Sequence, residues 1–545
     1  MPISFVRWLQ VAIAGAVLTF HTSSLASNLV GVDWLRQRLG SDEVVLIDAS
    51  VTRLHAAKHI PGARSVDLYR YGSPHKVTAA EMEQRIQAWG ISPGRKIVIY
   101  DEGASMMATW LFYELYYHGY PAEDLAILDG GLARWEAAGG AVTKEATPAP
   151  ARGSFRVTQL REDQRVRLAE FVTASGDPAN HALVEALEPS SHFGGTKFFD
   201  RAGHIPNAVM LPVTDFFNAD KTFKTPGEIA KMAAYLGVRP DQTIHSHCGG
   251  GVAATVPYFA LKFLSGFTQV KVYKESQMEW LQDERGLPMW TYDAPYLKRD
   301  ATWLNGWGNR MMRMYDVAQL SVVDVRSREA YDVNHVPFAL SVPEETFRRH
   351  VDAPSKLAEL LGPMGVNPAH EAVIVSDGGI DKRAALAFVM LEKLGQKRVS
   401  VLMDSVDDWG LRGYPLTKEP TLVGQRKSPM DLSIPPVAYP SRVRDGVLIT
   451  PANRTLGAYP KVFIASGSSV PQHAHAGKVI HVPYTELITA DGKPKSAHEI
   501  WTILEKAGVP RYAEIICFAD DPGEAAVNYF VLRLMGYPDV KVLAG

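Results

Sequence analysis

One order of features recurs four times along this chain, and any fold must accommodate all four copies. Each copy opens with an apolar run: "VVLIDAS", "ALVEALE", "LSVVDVRS" or "KVFIAS". Each continues to a histidine ahead of a short turn: "HIPGA" at His59, "HIPNA" at His204, "HVPFA" at His335 and "HAGKV" at His475. A second apolar run follows, "KIVIYD", "TIHSHC", "AVIVSD" or "EIICFA", and ends at Asp101, Cys248, Asp377 or Ala519. Those ends lie 42, 44, 42 and 44 residues beyond the histidines. Self-similarity at a fixed spacing marks a repeated architecture. We expect four units, at 28–145, 150–292, 305–418 and 440–545.

The elements inside a unit are readable. The β-branched runs are too short and too continuous for amphipathic helices and fit buried parallel strands. Between them lie helical stretches such as "AAEMEQRIQAWG" and "PGEIAKMAAYLG", each with a glycine at its C-terminal stop. Longer helices, "MMATWLFYELYYHG" and "KRAALAFVMLEKLG", follow the second strand, and a further strand such as "LAILDGG" or "VSVLMD" comes next. Strands alternating with helices predict an α/β fold, each unit a small parallel sheet flanked by helices. Linkers such as "TKEATPAPARG" and "TKEPTLVGQRKSPMDLSIPPVAYP" separate the units. Unit four stops at "KVLAG", where unit one runs on into "LARWEAAGG", so it is expected to lack a closing helix.

A net charge of -2, with 21% charged residues, gives no footprint for nucleic acid or an anionic membrane surface. The N-terminus carries Arg7, an apolar stretch from Trp8 to Phe20, and a small-x-small pattern at Ser24 and Ala26. That pattern predicts a signal peptide over 1–26 and a periplasmic or secreted protein, an uncleaved anchor being the alternative. No later segment approaches the roughly 18 apolar residues of a membrane span.

Export makes the cysteine count informative, because Cys248 and Cys517 are the only two. Cys517 falls within a strand, where an unpaired cysteine is usually core. Cys248 instead ends a strand and precedes Gly249, Gly250 and Gly251 and then the helical run "AATVPYFALKFL". A turn of this kind points successive backbone N–H groups into one concavity. The glycines are expected to supply positive φ and close approach. The cradle is expected to lower the thiol pKa and raise its nucleophilicity.

These residues resemble the rhodanese (sulfurtransferase) family. The resemblance rests on "HIPGA" and "HIPNA", "ILDGGLARWEAAG", "YKESQMEWLQDERGLP", and a cysteine at a strand end before a glycine loop. It implies four tandem rhodanese-like domains. Unit one is inactive, with Asp101 at the cysteine position, unit two is active through Cys248, and units three and four are inactive, with Asp377 and Ala519 there. It implies a Cys248 persulfide formed from a small sulfur donor and discharged to a thiol or cyanide acceptor, or to a redox or sulfur-acceptor protein. It calls for no metal or organic cofactor. Binding would fall to the loop, Gly249, Gly250, Gly251, Val252 and Ala253, chiefly through backbone N–H.

This chain departs from the family in its charged groups. Thiosulfate-using members carry basic side chains in the loop, where Gly249 and Gly250 stand here. Mercaptopyruvate-using members resemble "CGSGVT", but the hydroxyl positions of that loop are Gly250 and Ala253 here. Of their two upstream arginines, one falls in "FGG" at Phe193–Gly195 and is lost, and Arg201 is the candidate for the other, with Lys197 nearby. The loop therefore favours 3-mercaptopyruvate or a persulfide over thiosulfate.

Other chemistries fit less well. A C-x5-R phosphatase or arsenate reductase loop needs an arginine where Ala254 stands. On a strand, His245 and His247 point one way and Cys248 the other, which disfavours metal binding by "HSHC". The recurrence of His204 and its equivalents in units without a nucleophile marks them as turn-stabilising. The alternative of a different class is a sulfur or selenium carrier, or a scaffold, that loads without turnover.

Overall fold

The computed structural model describes residues 28–71, 77–428, 430–440, 442–451, 457–471 and 477–544. The segment read as a signal peptide and His475 lie outside the described residues. The described residues form four sheets, and every strand pairing within them is parallel.

The sheets share one strand order. In unit one it runs Leu29–Val30, Leu125–Leu128, Lys96–Tyr100, Val44–Asp48, Arg64–Ser65. Unit three repeats it with Lys298–Arg299, Arg398–Leu402, Glu371–Val375, Leu320–Asp324 and Ala339–Ser341. Unit four repeats it with Leu448–Ile449, Val540–Leu543, Glu514–Phe518, Lys461–Ala465 and Lys478–His481. Unit two has four strands, Ala208–Met210, His181–Glu185, Thr243–His247 and Val270–Val272, and Arg165 bridges to Val272 in place of the fifth. The central strands are buried along nearly their whole length because helices cover both faces, which is why their sequences are continuously apolar.

The glycine stops read from the sequence, Gly90 and Gly237, have positive φ just past their helices, and the structure adds N-terminal caps. Thr78 and Thr225 close capping boxes with Glu81 and Glu228 at the starts of Ala79–Ala88 and Pro226–Tyr235. Pro257 lies in the first turn of Thr255–Phe259, where a backbone donor has no intrahelical partner, so it does not interrupt that helix. The chain then runs on as a wider turn over Ala260–Leu264, with Ser265 N–H donating to Ala260 O.

The strand ends correct one reading. The carbonyls of Tyr100, His247, Val375 and Phe518 accept equivalent bonds from Ala49, Ala186, Val325 and Ser466, at 2.8–2.9 Å. The next residue in each copy is Asp101, Cys248, Ser376 and Ala519. Unit three therefore places Ser376, not Asp377, at the cysteine position. Matching aspartate to aspartate by residue type had shifted that copy by one. Asp377 is exposed and pairs with Arg383 at 2.5 Å.

Units pack in pairs through the helix that follows this position. In the first pair, Met107–Tyr117 of unit one lies against Thr255–Phe259 of unit two, with Phe112 edge-on to Phe259 at 4.9 Å and Tyr113 edge-on to Tyr258 at 5.2 Å. One hydrophobic core runs through both units. In the second pair, Lys382–Lys393 lies against Pro522–Leu534, again with one shared core and with Phe388 edge-on to Phe530 at 5.0 Å. The pairs meet where unit four packs on unit two. There Phe193 stacks on Trp501, Arg511 and the Tyr512 hydroxyl both bond Asp215, and Ala294 N–H donates to Leu534 O. Among the described residues no helix is long and apolar enough to cross a membrane.

Candidate active site

Cys248 stands at the C-terminal end of the strand Thr243–His247, 3% exposed, in the core shared by units one and two. Gly251 N–H points at its sulfur with N···Sγ 3.0 Å. The turn after the next strand holds the loop from behind. Cys248 N–H donates to Ser276 Oγ at 3.0 Å, Gln277 N–H to Cys248 O at 3.1 Å, and Met278 N–H to Gly249 O at 3.0 Å. The Ser276 hydroxyl donates to Tyr273 O and sits 4.0 Å from Sγ.

The three glycines have different jobs. Only Gly251 has positive φ, +90°, and a Cβ there would lie 1.9 Å from Lys274 O. Gly249 and Gly250 do not have positive φ. A Cβ on Gly249 would touch the Phe198 ring at 3.5 Å, and one on Gly250 would meet only the Met278 methyl, at 3.9 Å. The expectation of positive φ at all three is corrected to one.

The expected fall in the thiol pKa is also corrected. N–H groups of Ala254, Gly250 and Gly251 and the Ser276 hydroxyl pull it down, but burial outweighs them and pushes Cys248 above the ordinary thiol value. The cradle favours an anion, yet the same enclosure removes the water that would solvate it.

The other predicted residues fall as follows. Val252 and Ala253 continue the loop, partly buried against the shared core. Arg201 donates to Leu287 O at 2.6 Å and Leu281 O at 3.3 Å, and among the described residues it makes no hydrogen bond to the loop. Lys197 reaches Asp200 O at 3.4 Å. His245 bonds His181 at 3.0 Å, and His245 and His247 both lie edge-on to Phe171, in a different core cluster from Cys248. Cys517 is a fully buried free thiol on a central strand of unit four, with its pKa raised by burial.

Sequence reading missed two contributors. Tyr69 of unit one, half exposed, lies close enough to Cys248 for the thiol to raise the Tyr69 hydroxyl pKa, after the larger effect of burial. Ser276 has φ +53°, a left-handed conformation, and the equivalent residue four before the helix tryptophan in unit one is Gly131, φ +55°. A serine where the other copy uses glycine is strain held at the site. Laying "DGGLARW" over "KESQMEW" would have exposed it.

The other copies differ at this position. The Asp101 carboxylate accepts N–H from Gly103 at 2.8 Å and Ala108 at 3.0 Å, and burial raises its pKa to about 6. In unit four, Asp521, two residues past Ala519, pairs with Arg348 at 3.1 Å and Lys382 at 2.9 Å, both from unit three.

A buried thiol in a loop of inward N–H groups, at the joint of two α/β units, defines a class of protein that carries a group on sulfur. Comparison with known proteins gives the family. The model of the rhodanese-like domain matches residues 31–138, 169–283 and 307–411, so this chain belongs to the rhodanese-like family. It is similar to a probable 3-mercaptopyruvate sulfurtransferase of Pseudomonas aeruginosa, 31% identical over 281 residues, covering 48% of this chain and 97% of that one. It is similar to a thiosulfate sulfurtransferase of the same organism, 30% identical over 255 residues, covering 45% and 91%. It is 27% identical over 267 residues to the sulfur carrier protein TtuD of Thermus thermophilus, covering 46% and 93%. The chain is a rhodanese-type sulfurtransferase, and each of these relatives accounts for less than half of it.

The two loop contacts separate stability from chemistry. Gly251→Ala should cost at least about 2 kcal/mol in a urea melt, from the left-handed backbone and the clash with Lys274 O, and should abolish sulfur loading of Cys248 followed by mass spectrometry. Ser276→Gly relieves about 1 kcal/mol of left-handed strain but leaves the buried Cys248 N–H unpaired at a cost of about 1–3 kcal/mol, so stability should stay level or fall by up to about 2 kcal/mol while loading slows several-fold. Equal loading rates in Ser276→Gly and the parent would remove Ser276 from the site.

The raised thiol pKa sets a pH dependence. The attacking thiolate is the minor form below the pKa, so its population rises tenfold per pH unit up to that value. Loading measured with thiosulfate, which does not titrate in this range, should keep rising with pH between about 6.5 and 8.5. A plateau below about pH 8 would contradict it.

Proposed function

We propose that the protein is an exported sulfurtransferase that moves sulfur from a small donor to a thiophilic acceptor through a Cys248 persulfide. The thiolate attacks the outer sulfur of the donor, a new S–S bond forms, and the donor's remaining fragment leaves with the electron pair of the broken bond. A thiol or cyanide then attacks the outer sulfur, and Cys248 leaves as the thiolate. The loop N–H groups hold negative charge on the transferred sulfur in both half-reactions. The observation that carries this reading is the aim of Gly251 N–H at Sγ, at 3.0 Å.

Donor preference follows from what surrounds the sulfur. Gly249 and Gly250 bring no side chain, Arg201 is spent on Leu281 and Leu287, and the neighbours of the two glycines are Phe198 and Met278. Thiosulfate is a dianion, and charge-assisted hydrogen bonds are roughly twice as strong as neutral ones. Each missing charged contact costs about 1.5–3 kcal/mol, roughly ten- to a hundredfold in rate. We therefore assign 3-mercaptopyruvate or a persulfide as donor ahead of thiosulfate. The N-terminal pattern at Arg7, Trp8–Phe20 and Ala26 supports a periplasmic or secreted location.

The second reading is a carrier that loads and waits for a partner, favoured by the relative named a sulfur carrier protein and by three copies without the cysteine. Steady-state kinetics with 3-mercaptopyruvate, a persulfide and thiosulfate, each with cyanide and a dithiol as acceptors, distinguishes the cases. The expected kcat/KM for mercaptopyruvate exceeds that for thiosulfate at least about tenfold. The reverse order by the same margin refutes the loop-charge argument. Stable loading without turnover on any donor gives the carrier.

A further inference from the structure

The stretch 194–201, from which charged donor contacts were expected, turns an aromatic ring toward the Cys248 loop instead. Phe198 is 56% exposed, yet its ring lies over Gly249, where a Cβ would meet ring carbons at 3.5–3.8 Å. Beside it the Met278 methyl is what a Cβ on Gly250 would meet, and Met278 N–H holds Gly249 O at 3.0 Å. Tyr69 reaches in from unit one, half exposed, with its ring edge-on to Trp110 at 5.0 Å and its hydroxyl within electrostatic reach of the Cys248 thiol. The two cations of the stretch face elsewhere: Lys197 reaches Asp200 O, and Arg201 donates to Leu281 O and Leu287 O. Single exposed apolar side chains are ordinary on a protein surface, but three that converge on one buried reactive atom form a patch with a use.

Unit four fixes the approach to that ring. Phe193 stacks on Trp501 at 5.4 Å. Two residues on, a Cβ on Gly195 would run into the His498 ring, so the helix Ala497–Ala507 seats directly against the chain there. Gly194 takes φ +82°, and the N–H groups of Gly195 and Thr196 both donate to Ser190 O, at 2.7 and 2.9 Å. Phe198 follows three residues beyond the contact with His498.

We propose that Phe198 is a specificity-determining residue which, with Met278 and Tyr69, selects a donor whose sulfane sulfur is attached to an apolar organic group, alkyl or aryl. The inference rests on the sulfurtransferase reading of Cys248 and narrows its donor to the organic persulfide. In that reaction the Cys248 thiolate attacks the outer sulfur of R–S–SH, the new Sγ–S bond forms, and R–S⁻ leaves with the electron pair of the broken S–S bond. The R group covers the rings while the outer sulfur meets Sγ. Removing apolar surface from water favours that pose in proportion to the area covered, and holding the two sulfurs together turns the gain into rate. One methylene in an enclosed apolar site changes kcat/KM about 10–200-fold, and a half-open collar works at the lower end of that range.

The test measures the rate of Cys248 loading in the full chain, by intact mass, with methane-, butane- and benzenethiosulfonate. These donors carry the same charge and react alike: the thiolate takes the outer sulfur and a sulfinate leaves. Each rate is divided by that of the same donor with a small free thiol in solution, which removes intrinsic reactivity. The normalised rate should rise at least about tenfold from the methane to the benzene compound. Phe198→Ala should cut that ratio at least about fivefold, and Phe198→Leu should restore part of it. Tyr315→Ala, which removes a 74% exposed ring on unit three, should leave the ratio unchanged. Circular dichroism establishes that the variants fold. Equal normalised rates across the series, or an unchanged ratio in folded Phe198→Ala, overturns the inference and leaves the sulfurtransferase reading intact. No loading of Cys248 by any of the donors overturns that reading and the inference with it.

Discussion

The contact on which the site depends is the seating of Gly251 against the backbone of Lys274. Without a side chain at 251 the loop closes onto the following turn, and its N–H then points at the Cys248 sulfur. The same turn supplies Ser276 and the N–H groups of Gln277 and Met278. Lys274 is in turn anchored across the unit boundary, its ammonium 2.6 Å from Glu114 on the helix Met107–Tyr117 of unit one, both side chains buried. Removing either partner of such a pair leaves an uncompensated buried charge. The turn behind the cradle in unit two is thus tied to the packing of unit one.

The four strand ends place four different residues at one geometric position, and in units one and two loop N–H groups aim at the side chain there. Unit one has the Asp101 carboxylate there. Unit two offers a thiol, whose sulfur can take on and give up a further atom. Unit three puts Ser376 there, buried, its hydroxyl without a hydrogen-bond partner among the described residues. Unit four has Ala519, and the nearby Asp521 draws in Arg348 and Lys382. The second pair thus reproduces the helix packing of the first and adds ion pairs from Arg348 and Lys382 to Asp521 across the two units.

Much of this was legible in the sequence because it is periodic or local. Buried parallel strands announce themselves as short β-branched runs, helix ends as glycine stops, and Cys248 as a cysteine between a strand and glycines. Other features depend on what meets across space. Whether Gly249 or Gly251 needs positive φ depends on Lys274 O, 23 residues away in the chain. The sign of the Cys248 pKa shift depends on enclosure by two units, and burial there outweighs the N–H groups. Arg201 could be named as a cation but not seen to be occupied by two carbonyls. The packing of unit four on unit two through Asp215, Arg511, Phe193 and Trp501 leaves no periodic trace.

The central claim is that a single sulfur, Cys248, carries the transferred atom. Intact-mass and peptide mass spectrometry after incubation with a sulfane-sulfur donor tests it most directly. The account predicts one added sulfur per chain, located on Cys248 and absent from Cys517, with no addition in a folded Cys248→Ser variant. Sulfur retained on that variant, or found on Cys517 in the parent protein, would contradict it.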